Sequence, residues 1–397
     1  MKRFFFSAIA LMVAATACTE SGIIDMPEFY GNPISFDTYI GKNPMTKADN
    51  VDINYLKGLG PNASATVGAQ VYAYLCESDV TNKSADIVDF SSAYLDGRLL
   101  WHDDTDNNKD GWRYNIFKNN TWIVDEPYMP SGKDLAVVAY NLGAGICISD
   151  ETPTGFTFTV KDVVANQVDL LATPLTFVSE SENGDTQVPI RFYHLLSRVG
   201  FKVLSTSDSA TEIKISSIKL RGAFPKKGHI SLISAIATPT TITAETNSIP
   251  AITAVTEKEE DETDSDIYAY EYNLFGSGAE FSIASSACVS GTGKPGAQPI
   301  FNNKSLTATS SDAEINAAKN ARYMMLMPGV QSNLSVEVTY KLEGQSTSNV
   351  VNVNIGSINF QAGYAYEFVL KIATAAIEFS GVVEGDWGTA ETITPEE

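Results

Sequence analysis

Short runs of alternating apolar and polar residues recur along most of the chain. In residues 34–40, Ile34, Phe36, Thr38 and Ile40 fall on one face of such a run. This period of two is typical of β-strands that place one face on a core. Turn-forming Gly, Pro, Asn and Asp separate the runs, which indicates antiparallel sheets. The pattern predicts further strands over residues 69–76, 134–141, 155–163, 188–194, 198–204, 212–220, 229–233, 267–275, 321–327, 334–342, 349–355, 364–372 and 376–383.

One short helix is predicted among these strands. Ser311 and Glu314 are spaced as a capping box, in which each side chain satisfies a backbone N–H of the other residue. The helix would run to Ala321 and decorate a loop. The predicted fold class is therefore all-β.

The number of strands favours two antiparallel β-sandwich domains in tandem, because 397 residues exceed what one sandwich usually needs. The polar, turn-forming stretch 179–186 marks the expected junction. The predicted domains are residues 48–184 and 185–397. The charged stretch 257–266 is interpreted as an exposed insertion in the second domain, and calcium binding there is the alternative.

The N-terminus has the order of a secretory signal. Lys2 and Arg3 precede an apolar run, residues 4–15, and small residues then lead into Cys18. The run is too short to span a membrane, so it targets the chain. We predict a lipoprotein signal peptide over residues 1–17 and lipidation of Cys18. An ordinary signal with a chance cysteine is the alternative.

The formal net charge of −21 bears on the partners of the chain. Phosphate backbones are bound by Lys and Arg, so an acidic surface disfavours nucleic acid and anionic membrane surfaces. Since no other apolar stretch approaches membrane length, we expect contact with the membrane through the lipid only. The charge suits an extracellular protein but names no ligand.

No set of residues with recognisable catalytic chemistry is found. His102, His194 and His229 are scattered, and the sequence has neither an HExxH nor a GxSxG motif. His194 stands in an apolar strand and is interpreted as a hydrogen-bonded core or interface histidine, not a catalytic base. We predict neither an enzyme nor a bound cofactor.

The sequence gives only weak signals for a metal site or a disulfide. Besides the predicted lipidation site, Cys76, Cys147 and Cys288 allow at most one disulfide. Buried free thiols are favoured, and one disulfide is the alternative. Residues 106–111 match the first half of an EF-hand loop, but Phe117 stands where the bidentate Glu is expected. A turn between strands is favoured over a calcium site.

Several segments, taken in order, resemble those of a known family. They are Pro33-Ile34-Ser35-Phe36, Thr46-Lys47-Ala48, the aromatic stretch from Trp112 to Trp122, residues 133–140, Asp169-Leu170-Leu171-Ala172, residues 188–199, residues 360–366 and Trp387. Residues 192–199 carry an F-x-H-x-L-S-x-V pattern. In order and spacing these segments resemble the fimbrillin family, the lipoprotein subunits of type V pili of Gram-negative gut and oral bacteria.

The resemblance implies two transthyretin-like β-sandwich domains and export to the outer membrane as a lipoprotein. It also implies cleavage by a trypsin-like protease after Arg or Lys near the N-terminus. Cleavage would remove the first strand and leave an apolar groove, which a strand from the next subunit fills. The implied partners are other pilus subunits and a host or bacterial surface ligand, and the processed protein would reside in the fimbrium.

The expected cleavage site is Lys47, with Lys42 as second choice, in a polar, turn-like stretch. The lipid would then leave with residues 18–47. A loop that is never cut is the alternative. The removable strand would place four side chains on the core: Ile34, Phe36, Thr38 and Ile40. Beyond Trp387, an early Pro395 leaves room for one short donor strand, which favours a tip or accessory subunit.

Two other functions compete with a pilus subunit. A monomeric glycan-binding lipoprotein of the outer membrane would share the signal and the sandwiches, with Trp101, Trp112, Tyr114 and Trp122 as a sugar-stacking platform. Packing of these aromatics within the sheets is favoured over that platform. An enzyme with a scattered carboxylate pair is the least favoured function.

Overall fold

The structure is a computed structural model, and it confirms the all-β prediction. It describes residues 32–40, 68–80, 82–102, 111–142, 146–181, 185–207, 211–237, 249–292, 294, 296–300, 323–373, 377–386 and 389–390. The predicted helix after Ser311 lies outside these ranges.

The first half of the chain forms strands β1 (Ile34–Ile40), β2 (Gly68–Glu77), β3 (Leu95–His102), β4 (Gly111–Lys118), β5 (Thr121–Val124), β6 (Lys133–Leu142), β7 (Ile148–Thr152), β8 (Gly155–Thr159), β9 (Leu171–Ala172), β10 (Leu175–Ser179), β11 (Thr186–His194) and β12 (Ser197–Ser205).

The second half forms strands β13 (Glu212–Pro225), β14 (Lys227–Ser231), β15 (Ile236–Ala237), β16 (Ala251–Ala254), β17 (Tyr268–Asn273), β18 (Phe281–Ala284), β19 (Gln298–Pro299), β20 (Met324–Leu326), β21 (Gly329–Leu342), β22 (Asn349–Phe360), β23 (Tyr364–Ile372), β24 (Ile377–Asp386) and β25 (Thr389–Ala390). Every run predicted from alternation holds a strand, with ends moved by a few residues.

Helical structure is short in the described part of the chain. A single α-helical turn, Asp264–Ile267, follows the acidic stretch, where the carboxylate of Asp266 accepts hydrogen bonds from the backbone N–H and hydroxyl of Thr263. Three 3₁₀ turns occupy Ala85–Ile87, Val164–Asn166 and Ser285–Cys288.

The strands form four sheets. The largest has the order β1-β11-β9-β6-β2-β3-β4-β5, and β10 pairs with both β6 and β15. The second has the order β19-β12-β23-β24-β25 with β20 beside β12, and the third β17-β13-β21-β22 with β18 beside β13. The fourth is β16-β14-β8-β7.

Most strand pairs are antiparallel, as the alternation indicated, but three are parallel: β1 with β11, β12 with β23, and β10 with β15. Parallel neighbours need a crossover connection and are therefore distant along the chain. A local pattern cannot reveal such pairs.

The largest sheet is buried on both faces at its centre. In β6, Leu135, Val137 and Ala139 join one apolar cluster, whereas the residues between them, such as Val138, join a second and larger cluster. The smaller cluster contains Ile34 and Phe36 of β1. The larger one extends into the strands of the second half of the chain.

Hydrogen bonds cross the expected junction at residues 184 and 185. β11 is a strand of the largest sheet, β14 pairs with β8, and β15 pairs with β10. The sheets therefore do not divide at this point of the chain, and the division into two domains stays a prediction. Among the described residues, no helix is long and apolar enough to cross a membrane.

Candidate functional site

The first strand lies at one edge of the largest sheet. β1 runs parallel to β11, with Ile34 beside Thr186 and Phe36 beside Val188. At its start, the N–H of Thr186 donates to the carbonyl of Pro33 at 2.7 Å. β1 is therefore the strand that completes this edge of the sheet.

Alternate side chains of β1 enter the smaller apolar cluster. Ile34, Phe36 and Thr38 are 7%, 8% and 6% exposed, whereas Asp37 faces solvent. The predicted inward face is thus confirmed for these three residues; the side chain of Ile40 lies outside the described residues. Burying an aliphatic or aromatic side chain contributes about 1.5–3 kcal/mol each.

Tyr114 of β4 forms the wall opposite Phe36. The two rings stack with centroids 6.2 Å apart and an interplanar angle of 25°. The N–H of Asp96 donates to the Tyr114 hydroxyl at 2.9 Å, and the ring lies over Gly97, where an added Cβ would come within 2.7 Å of it. Burial raises the pKa of Tyr114 to about 12. Apart from Phe36, the ring is thus held by two neighbouring residues of β3, Asp96 and Gly97.

Residues 127–129, just before β6, hold the start of β1. They close one end of the groove that β1 fills. The N–H of Ile34 donates to the carbonyl of Pro127 at 2.8 Å, and the N–H of Met129 donates to the carbonyl of Asn32 at 2.8 Å. The amide of Asn32 also donates to the carbonyl of Ser181. The start of β1 is consequently fixed by backbone hydrogen bonds on two sides.

β11 depends on β1 for its hydrogen bonds. Over residues 186–192, β1 is the one strand in the described part of the chain that pairs with β11; β9 pairs only with Tyr193 and His194. Since the N–H of Thr186 points to β1 and N–H groups alternate along a strand, the nitrogen of Pro189 points away from β1. Because proline has no N–H, position 189 offers no backbone donor on the side away from β1.

The hydroxyl of Thr38 is buried and has no hydrogen-bond partner among the residues that the structure describes. Its neighbour in the register is Ile190, and Val188 and Phe192 flank that position on the same face. Thr186, the other buried threonine of this edge, is different, because its hydroxyl accepts the N–H of Ser181 at 3.2 Å. The position of Thr38 is therefore an apolar pocket that holds a polar group.

The predicted processing residues cannot be placed. Cys18, Lys42 and Lys47 lie outside the described residues, as do the calcium candidate 106–110 and Trp387. Their roles stay predictions.

His194 occupies the structural position expected for it. The side chain is buried, and its Nδ1 lies 2.6 Å from Oδ2 of the buried Asp169. Asp169 also accepts, through its carbonyl, a hydrogen bond from the amide of Asn141 at 3.2 Å. This pair joins β11 to the segment that directly precedes β9.

The four aromatic residues considered as a sugar platform lie on two faces of the sheet. Trp112 and Tyr114 face the smaller apolar cluster, and Trp101 packs edge-on against Trp112 with centroids 5.7 Å apart. Trp122 lies opposite Phe117 on the other face, covered by the guanidinium of Arg98 at 4.3 Å. They do not form one platform.

The acidic stretch 257–266 is exposed, as predicted, and lysines bind it to the fold. The buried Lys226 donates to Asp162 and to the carbonyl of Ser265, both at 2.8 Å. Lys227 pairs with Glu262. These two lysines thus tie the acidic stretch to the rest of the fold.

The three cysteines that the structure describes are thiols. Cys76 and Cys288 are buried and Cys147 is half-buried. Burial raises the pKa of the Cys288 thiol to about 11 and also raises that of Cys76. Both buried thiols are consequently poor nucleophiles at neutral pH.

Two parts of the groove were not found from the sequence. Nothing local indicates that Tyr114 faces Phe36, although the aromatic stretch around it was singled out. The segment 188–199, singled out as a motif, proves to contain most of β11, the strand that pairs with β1. A motif without catalytic residues can thus mark a structural site.

These features define a class of protein: an all-β chain whose first strand completes both the edge of a sheet and a core. A family model described as fimbrillin-like matches residues 100–387. The chain belongs to this fimbrillin-like family, and the membership supports a pilus or cell adhesion subunit at the cell surface.

The solved structures to which the chain is similar include fimbrial and cell adhesion proteins. A fimbrial protein from Bacteroides vulgatus is 15% identical with a TM-score of 0.55, covering 90% of this chain and 99% of that one. Proteins described as cell adhesion proteins, from Bacteroides ovatus and Bacteroides uniformis, are each 13% identical, with TM-scores of 0.44 and 0.43. Each alignment covers 91% of this chain and 99% of the other. No curated protein sequence matches the chain.

Proposed function

We propose that the chain is a structural or adhesive subunit of a surface fimbria, exported as a lipoprotein and assembled by strand exchange. Lipid is added at Cys18 and tethers the chain at the outer membrane during export. Cleavage after Lys47, or after Lys42, then separates β1 from the rest of the chain. A strand from another subunit occupies the groove that β1 leaves.

The observation that carries this proposal is the position of β1. Among the described residues it is the edge strand nearest the N-terminus, and there it is joined to the sheet by one neighbour, β11, over residues 186–192. Its loss would expose the unpaired edge of β11 together with Val188, Ile190 and Tyr114, which are buried in the intact chain. An apolar edge of this kind pairs readily with another strand.

In this scheme, the role of the lipid depends on whether the chain is cut. If Lys47 is cut, the lipid leaves with residues 18–47 and serves export alone. If the chain is not cut, the lipid persists, and the protein stays at the membrane as a base subunit or as a stand-alone binding protein.

The experiment compares lysine variants in the producing bacterium. Lys47→Ala, Lys42→Ala and the double variant are followed by the size of the mature chain and by detergent-resistant polymers on gels. The double variant should keep its first strand and form no polymer, whereas Lys57→Ala, a matched control nearby, should behave as the parent. Polymers of normal length from the uncut double variant would refute strand removal.

A further inference from the structure

Among the described inward side chains of β1, Thr38 fits its surroundings least well. Its side chain is 6% exposed, and within the described part of the chain its hydroxyl has no hydrogen-bond partner. Ile190 lies beside it in the register, between the buried Val188 and Phe192. By contrast, Ile34 and Phe36 carry no polar group into the core. One of the three described inward positions of β1 is therefore mismatched to its surroundings.

The mismatch lowers the affinity of β1 for the groove. A hydroxyl that leaves water without gaining a hydrogen bond loses the free energy of its hydration, which is comparable to that of a hydrogen bond. Valine has nearly the same shape and places a methyl group where threonine has the hydroxyl. The penalty disappears with that exchange, and the packing of the remaining atoms is kept.

We propose that the buried hydroxyl of Thr38 weakens the binding of β1, so that another strand can replace it. The groove then selects an incoming strand with a branched aliphatic side chain at this position. The proposal rests on strand exchange as the proposed function and adds to it a specificity-determining position. The partner is an extended segment of another subunit with apolar residues at three alternate positions. Its third residue, in the place of Thr38, is valine or isoleucine.

This preference gives exchange a direction. β1 and the incoming strand make similar backbone hydrogen bonds, because the same edge of β11 serves both. The difference between them then lies in the side chains, and the strand without a buried hydroxyl is held more tightly. Once β1 has been cut from the chain, replacement is favourable without any further energy source.

The test uses the uncleaved chain, residues 18–397, and three single variants of it. Thr38→Val should raise the folding equilibrium constant about tenfold, seen as a higher urea midpoint with an unchanged slope. Thr38→Ser keeps the hydroxyl, loses a buried methyl and should lower the midpoint. Ser35→Val makes a similar change on the outward face of β1 and should leave the midpoint close to that of the parent. A Thr38→Val midpoint equal to or below the parent's would overturn the proposal.

A second measurement follows release of the strand. Each chain is nicked with trypsin between β1 and β2, and dissociation of the N-terminal fragment is timed. Release from Thr38→Val should be about tenfold slower than from the parent, and an unchanged rate would overturn the proposed selection. If no variant ever releases the fragment, the proposed function fails, whereas the urea midpoints still decide the role of Thr38.

Discussion

At the scale of single residues, the groove depends on how Tyr114 is held. Its ring crosses Gly97 and its hydroxyl accepts the N–H of Asp96. A side chain at position 97 would also come within 2.5 Å of the carbonyl of Asn115. The ring is therefore fixed by β3 and can receive Phe36 without rearrangement.

Phe36→Ala should destabilise the intact chain by about 3–5 kcal/mol, because it leaves a large cavity against Tyr114. Urea unfolding measures the effect. Asp37→Asn, on the solvent face of the same strand, should change the stability little. Equal effects of the two variants would show that Phe36 does not hold β1.

Tyr114 should make stability fall at alkaline pH. Its pKa of about 12 in the fold exceeds the value of about 10 expected for an unfolded chain. The contribution is therefore complete below pH about 10 and is lost as the pH rises through about 12. Tyr114→Phe should flatten the decline of the urea midpoint over this range, whereas the exposed Tyr270→Phe should not. Identical declines in the parent and in Tyr114→Phe would contradict this.

The inward face of β1 could be predicted from the sequence, and its partners could not. Alternation over residues 34–40 is a local signal, and it correctly placed Ile34, Phe36 and Thr38. The contact with Tyr114 and the register with β11 join distant parts of the chain. The missing partner of Thr38 is a property of that packing and has no sequence signal.

At the scale of elements, β11 is the strand on which the site is built. The proline at position 189 prevents donation on the side away from β1, so β11 offers one complete edge. For two of the strands that the alternation did not predict, the structure shows a physical reason. β3 contains Gly97, which suggests a turn but is needed for the close approach of Tyr114. β7 is mostly exposed and polar, so it has no apolar face to detect.

Hydrogen exchange should report the dependence of β11 on β1. In a chain that lacks residues 1–47, the amides of Val188, Ile190 and Phe192, which point toward β1 in the intact chain, should exchange faster, while those of β6 stay protected. Adding a peptide with the sequence of residues 32–40 should restore the protection. Slow exchange of these three amides in the shortened chain, without peptide, would mean that β11 does not need a partner strand.

At the scale of the whole molecule, late strands complete sheets begun by early ones. β11 pairs with β1, β14 with β8 and β15 with β10. The junction predicted at residues 179–186 rests on local polarity, whereas membership of a sheet joins distant parts of the chain. A polar loop therefore could not indicate which strands share a sheet.

A fragment that ends at residue 184 tests this organisation. It lacks β11, β14 and β15, so we expect no cooperative thermal transition and weak β signal in circular dichroism, unlike the full mature chain. A fragment that unfolds cooperatively with native-like β content would show that residues 48–184 form an independent domain.

Assembly by strand exchange depends most on the fate of β1, and N-terminal sequencing of the protein recovered from assembled surface fibres tests that fate directly. The predicted result is a chain that begins at Ala48, or at Asn43 if Lys42 is the residue cut, with no copy retaining residues 34–40. Surface copies that all retain residues 34–40 would contradict strand removal and leave a lipid-anchored protein that keeps its own first strand.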